Sequence, residues 1–441
     1  MTWTRGSGSV TGSRDSPVGQ SGVGPSAYRG LAPVRLDGVG ARRAGLGFGS
    51  GPGYRRRQLG RQLRRLFSRG SPLRRLDWVL LLVVLALALL GTLLVYAATE
   101  PSLKQAGADP HTYLMKQLLN IAIGLVLMGG VTLLDYRQIK MLTPVVMIAS
   151  CLGLLAVLTP LGSIVNGAKS WISLPGGFQI EPSEYAKISI ILVCAVILGN
   201  VKQGETRPGP RAIAVTGALA AIPLLLVVAE PDLGVTMLMV ALLVALIALS
   251  GVRLRWLAGL AVVSVVGVGA VIKLHLLKGY QASRLTSFLN PNADPRGTGY
   301  SAYQSKIAIG SGGVHGSGLF HGQLVAGSFV PEQHTDFIFS VSGEELGFVG
   351  SLLILGLLGL LLFRALRIAF RADDQFGMLV AGGVAVWFGV QSFINIGMTI
   401  GITPVTGLPL PFVSYGGSAM FADMIAIGML QAIYRRRNVF S

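Results

Sequence analysis

The stretch DWVLLLVVLALALLGTLLVYAA, residues 77–98, decides the fold. It has one charged residue, at its first position, and as a helix it is long enough to cross the roughly 30 Å hydrocarbon core of a bilayer. Nine further apolar windows follow, near residues 114–134, 141–159, 186–200, 211–229, 233–250, 255–273, 337–363, 376–400 and 418–434. A backbone crossing lipid must satisfy its own amides and carbonyls, so each window is read as a helix. The fold class expected is an all-α polytopic membrane protein with about ten transmembrane helices. Composition agrees, with 51% hydrophobic and 13% charged residues in 441.

The net charge of +18 matters by its location. Nine arginines between Arg55 and Arg75 precede the first window, and Arg435, Arg436 and Arg437 follow the last. Cytoplasmic retention and anionic lipid account for such clusters, and without an aromatic-interleaved basic fold no nucleic-acid partner is expected. The short connections bearing Arg137 and Lys140, Lys202, Arg207 and Arg211, Arg253 and Arg255, and Arg364, Arg367 and Arg371 fall on one side. The positive-inside rule therefore puts both termini in the cytoplasm. Asn166, Asp232, residues 274–335 and residues 401–417 are then extracytoplasmic.

Residues 1–76 are rich in Gly, Ser, Arg and Pro and are expected to form a disordered basic cytoplasmic tail. The transmembrane domain spans 77–441, with a large extracytoplasmic loop, 274–335, between the seventh and eighth helices. The first window is too long and continuous for a cleaved signal and is read as an uncleaved anchor. Cys151 and Cys194 lie in apolar windows without metal-ligand spacing and are read as small core residues.

Polar chemistry collects in the outer segments. The stretch SFLNPNADPRGTGYSAYQSKIAIGSGG offers Asp294, Arg296, Tyr300, Gln304 and Lys306 among glycines. Two cations there could hold phosphate oxygens while Asp294 accepts a proton, although Asn-Pro-Asn-Ala-Asp-Pro also reads as a plain turn. In FVPEQHTDFIFSVSGEELGF, Glu332, His334, Asp336, Glu344 and Glu345 sit where the chain re-enters the bilayer. Helix capping explains Asp336 there, and a metal at His334 lacks the usual helical spacing. Glu184 and Lys187 are i,i+3 neighbours at the mouth of the fourth window, open to structural pairing or to substrate positioning. Asp232 reads as a helix cap in a tight outer turn, or as a cavity-lining group. The segment GITPVTGLPLPFVSYGGSAM, with Ser414, is broken backbone at membrane depth, tolerated where it is buried by protein or lines a cavity.

Taken in order, FQIEPSEYAK, EPDLG, NPNADPRGTGYSAYQSKIAIGSGG, VPEQHTDFIFSVSGEELGFVG, NIGM and LPLPFVSYGGSA resemble the SEDS family of cell-wall polymerases over nearly the whole chain after residue 76. The elongation-type RodA branch fits QSKIAIGSGG and the Gly-Pro segment better than the division-type FtsW branch. The resemblance implies a peptidoglycan glycosyltransferase of the inner (plasma) membrane. It would transfer disaccharide units from lipid II to a growing glycan strand, release undecaprenyl pyrophosphate and serve cell elongation and shape. It also implies a class B penicillin-binding transpeptidase as partner, in addition to membrane lipids. Carried over, the essential loop carboxylate is Asp294, and Glu184, Lys187 and Asp232 line or shape the central cavity. Arg296, Lys306 or a divalent cation (Mg or Mn) would meet the leaving diphosphate, and Ser414 would contact substrate. No cofactor is otherwise implied. Glu181 and Glu230 stand where relatives often carry glutamine, and Asp423 stands inside the last window, where a partner within the bundle is expected. The competing readings are a flippase for the lipid-linked precursor and a non-catalytic scaffold for the transpeptidase.

Overall fold

A computed structural model describes residues 76–165, 168–173, 179–200, 207–273, 284, 288 and 299–440. The expected tail therefore lies outside the described residues except for Leu76, and so do Asp294 and Arg296. The described chain is mostly helical. Its first helices are α1 (Trp78–Gln105), α2 (Thr112–Leu133) and α3 (Tyr136–Leu158). After a small sheet come α4 (Pro182–Leu198), α5 (Pro210–Ala229), α6 (Leu233–Leu249) and α7 (Leu254–Lys273). The remainder comprises α8 (Tyr300–Ser311), α9 (Gln323–Ala326), α10 (Ile338–Glu345), α11 (Gly347–Phe370), α12 (Gln375–Ile400) and α13 (Gly417–Phe440).

Seven of these, α1, α2, α3, α5, α11, α12 and α13, are long and apolar enough to cross a membrane among the described residues. The chain is a multi-pass membrane protein. Helix α4 shows where the core sits: between Pro182 and Cys194 every residue except Tyr185 is buried. An apolar helix buried on all faces belongs at the centre of its bundle. It packs against α3, α5, α6, α12 and α13, while α13 runs along α2. The peripheral helices instead expose apolar side chains such as Val126, Met141, Leu152 and Leu225, a surface suited to lipid tails rather than water.

Local sequence sets the helix ends that matter. Pro182 occupies the first turn of α4, where no amide donor is needed. The Asp232 carboxylate accepts the Val235 amide at 2.9 Å and caps α6, the role read for it from its spacing. Gly91 in α1 lies so close to Val413 that a Cβ would come within 2.4 Å of the Val413 carbonyl oxygen, so only glycine lets α1 meet the broken 401–416 segment.

The structure corrects three expectations. The fold is not purely helical: β1 (Gly162–Val165), β2 (Ala168–Ser173) and β3 (Gln179–Ile180) form an antiparallel sheet in that order, with Val165 opposite Ala168. The Asn166-Gly167 pair between the first two strands in sequence is a strong hairpin signal that helical periodicity does not register. The window 337–363 is two helices, divided at Leu346–Gly347. Gly347 has φ +67° and its would-be Cβ lies 2.2 Å from the Gly316 nitrogen, so the break is imposed by a backbone-to-backbone crossing from a distant segment. Asp336 does not cap a helix. Helix α10 starts at Ile338 after Phe337, with no side-chain cap.

Candidate functional site

The first turn of α4 holds the densest polar arrangement. Glu184 and Lys187 are both fully buried, and the Lys187 ammonium lies 2.7 Å from a Glu184 carboxylate oxygen. Lys187 also donates to the Gln391 carbonyl oxygen at 3.0 Å and lies 4.6 Å from the centre of the Trp387 ring. Gln391 is engaged three ways: its oxygen also accepts the Trp387 indole N–H at 2.7 Å, and its amide donates to the Pro409 carbonyl at 2.8 Å. One turn further along α12, Asn395 donates to the carbonyls of Asp336 and Leu408, at 2.8 and 2.7 Å. These bonds tie α4, α12 and the Pro-rich segment into one polar seam. A buried charge is tolerated only when paired and hydrogen-bonded in this way.

Asp232 and Asp336 face this seam from α6 and from the loop before α10. Burial raises the Asp232 carboxyl above its usual range and Glu184 adds to the rise, while its bond to the Val235 amide and the charges of Arg284 and Lys187 oppose it. Asp336 is pushed up to about 7, first by burial and then by Glu332, with Asp232 adding and Arg284 opposing. Glu230, fully buried in the turn before α6, is pushed up to about 8 by burial and by Asp232. Glu181 is raised too, by burial and then by Glu184, with the Ser183 hydroxyl donating to it at 2.7 Å. A set of carboxyls all raised by burial, beside one buried lysine and Arg284, can accept, hold or pass protons.

Lys306, on α8, belongs to a neighbouring cleft of about 40 Å³ lined in part by Arg284, Tyr303, Gly401 and Pro404. Its side chain lies over Gly401, whose φ of +80° ends α12. Two cations on one cleft suit phosphate oxygens. Ser414 is used within its own turn: its hydroxyl accepts the Leu410 amide at 2.8 Å, and its carbonyl accepts from Gln117 at 3.3 Å. Asp423 is buried in α13 and accepts the Phe412 amide at 3.4 Å, its other oxygen having no hydrogen-bond partner among the described residues. His334 packs between Tyr113 and Tyr415 at ring distances of 5.0 and 5.8 Å, and burial lowers its basicity despite Glu332. Among the described residues no three or more His, Cys, Asp or Glu side chains group as a metal site.

The structure thus brings Glu184, Lys187 and Asp232 together, places Lys306 in the adjoining cleft and sets Ser414 in the segment that closes the seam. Sequence reasoning missed Gln391 and Arg284, gave Asn395 no role beyond its place in NIGM, and assigned Asp336 to capping. The two amides carried a signal, since Gln391 and Asn395 stand four residues apart inside an apolar window, where unpaired amides are costly.

A family profile for FtsW, RodA and SpoVE, described as cell cycle protein, matches residues 77–439. The peptidoglycan glycosyltransferase MrdB of Escherichia coli is 38% identical over 366 residues, covering 83% of this chain and 95% of that protein. The stage V sporulation protein E of Bacillus subtilis is 36% identical over 361 residues, covering 81% and 97%. Among solved structures, the rod shape determining protein RodA of Thermus thermophilus matches with a TM-score of 0.60 at 28% identity, over 82% of this chain and 97% of that one. A chain from a peptidoglycan synthase complex that coordinates polymerization and crosslinking matches with a TM-score of 0.68 at 30% identity, over 82% and 98%. With the profile covering all but the N-terminal segment and the last two residues, the chain belongs to the FtsW, RodA and SpoVE family of cell-cycle proteins.

Proposed function

We propose that this chain is a peptidoglycan glycosyltransferase that polymerises glycan strands outside the membrane, taking disaccharide units from lipid II and releasing undecaprenyl pyrophosphate. The observation that carries this reading is where the charged seam lies. Glu184 and Lys187 are in the first turn of α4, and Asp232 is the residue before α6. The polar cluster therefore lies at helix ends on one side of the bundle. A transporter would need its site near the midplane, reachable from both sides.

In this reading the chain crosses the membrane ten times with both termini cytoplasmic, and the loop 274–335 is extracytoplasmic. Asp294 in that loop removes the proton from the acceptor sugar 4-hydroxyl, which attacks the donor anomeric carbon. The bond from that carbon to the lipid diphosphate breaks, and the single displacement inverts the donor configuration. A positioned base contributes about 10²- to 10⁴-fold, so orientation and stabilisation of the departing diphosphate must supply the rest. Arg296 and Lys306 meet the diphosphate charge, while Glu184, Lys187 and Asp232 hold the cavity in shape. Ser414 bounds the substrate path through the turn it fixes. A class B penicillin-binding transpeptidase crosslinks the product, and the pair serves cell elongation.

The test is polymerisation of purified lipid II by the full chain with its transpeptidase, comparing wild type with Asp294→Ala and Asp294→Asn at matched folding. Loss of polymer by about 100-fold or more, with partner binding intact, is the expected result. Undiminished polymer from both variants would remove Asp294 from the chemistry and return the flippase and scaffold readings.

A further inference from the structure

A second polar site lies at the other end of α1, away from the seam. Asp77, 2% exposed, caps α1 by accepting the Leu80 amide at 3.0 Å. Its backbone exchanges two hydrogen bonds with the Gln431 amide of α13, at 2.9 and 3.0 Å. Its carboxylate receives the Arg364 guanidinium of α11, with the Nε contact at 3.0 Å. Three helices are thereby pinned around a cavity of about 80 Å³, lined by Asp77, Arg364, Arg367, Arg371, Ile433 and Tyr434 among others. That is several times the roughly 10–15 Å³ one water needs on the same measure.

The charge around this cavity is unbalanced. One carboxylate faces three arginines, and Arg364 already takes it. Arg367 and Arg371 form no ion pair with any described residue, although residues 364, 367 and 371 follow the three- and four-residue spacing that puts them on one helix face. The nearest acid in sequence that is engaged, Asp374, bonds the Tyr136 hydroxyl and lies 4.0 Å from Arg436. Apolar surface flanks the cavity: Trp78 is 52% and Phe370 82% exposed, on the two helices that bound it. A fixed guanidinium with two unpaired ones beside it, next to exposed aromatic and aliphatic side chains, matches a phosphodiester with acyl chains attached.

We infer that the cavity between α1, α11 and α13 binds the phosphate of an anionic phospholipid headgroup, with Arg367 and Arg371 as its principal donors. Asp77 acts as the positioning residue, because it holds Arg364 at the cavity wall. The acyl chains then lie along the exposed apolar faces of α1 and α11. This site goes beyond the polymerase reading and does not depend on it.

The experiment is native mass spectrometry of the full chain in detergent, titrated with phosphatidylglycerol, with phosphatidylcholine or with inorganic phosphate. Wild type is expected to retain phosphatidylglycerol over phosphatidylcholine, and inorganic phosphate is not expected to displace it. Arg367→Gln and Arg371→Gln should each weaken retention about 5-fold, and the double variant on the order of 30-fold. Arg253→Gln/Arg255→Gln, which removes as much charge from the start of α7, should leave retention unchanged. Equal retention by wild type and the Arg367/Arg371 double variant overturns the site, as does equal loss in the Arg253/Arg255 control. Displacement by inorganic phosphate overturns the lipid assignment. Because the readout is lipid retention and not glycan product, this proposal and the polymerase reading can fail separately.

Discussion

Two buried ion pairs stand at opposite ends of the bundle, and they are built differently. Glu184–Lys187 is local, three residues apart on α4, and both side chains are sealed from solvent. Asp77–Arg364 joins residues 287 apart, and its arginine keeps 14% of its side-chain surface exposed. In the first pair the charges have nowhere to go but each other, Gln391 and the Trp387 ring. In the second, water still reaches the guanidinium, and the carboxylate is also satisfied by a helix amide. The sealed pair therefore carries the larger penalty when broken, while the long-range pair does more to hold separate helices together.

Lys187→Met separates these cases most sharply. It leaves the Glu184 carboxylate buried, with neither oxygen accepting a hydrogen bond from a described residue, and should cost about 3–5 kcal/mol. Adding Glu184→Gln should recover much of that loss, read by thermal unfolding of the detergent-solubilised chain. If the double variant unfolds as early as Lys187→Met, the two residues are not coupled and the contrast collapses. Asp77→Asn should cost less, about 1–3 kcal/mol, because asparagine still caps α1 and Arg364 can turn to water. A loss as large as that of Lys187→Met would show the Asp77–Arg364 pair to be as dry as Glu184–Lys187.

The smallest effect is expected from pH. Asp336 has a carboxyl raised to about 7 against an ordinary value of 3.8. The folded chain then binds a proton that the unfolded chain has already lost, so this contribution to stability is complete below about pH 4 and fades as pH rises through about 7. Asp336→Asn should flatten the fall in melting temperature between pH 5 and 8 by about 2–4 °C. An unchanged slope would mean that Asp336 ionises normally, in a wetter setting than its neighbours suggest.

The parts of this protein that were legible in advance are those whose cause is local. Asp232 one residue before an apolar run reads as a cap, and it caps α6. Glu184 and Lys187 at helical spacing read as neighbours, and they pair. By contrast, nothing near Glu344 in sequence points to its partners: both its carboxylate oxygens accept amides of α9, from Leu324 at 2.7 Å and Val325 at 3.0 Å. The same holds for Asp336, whose pattern fits a helix start but whose surroundings include Asp232 and Arg284 from distant segments, beside its near neighbour Glu332.

The amino-acid sequence alone determined that this is a largely helical membrane protein and that many of its ionisable residues crowd the helix ends. Those properties follow from transfer free energies and helix geometry, which act over a turn or a single span. Only the tertiary structure decided that Gln391 and Asn395 complete the polar seam around α4, that Gly347 breaks a helix against Gly316, and that Asp77 gathers α11 and α13 around a basic cavity. Each of these depends on where distant backbones cross, and crossing geometry comes from the packing of whole helices, which no local window of residues encodes.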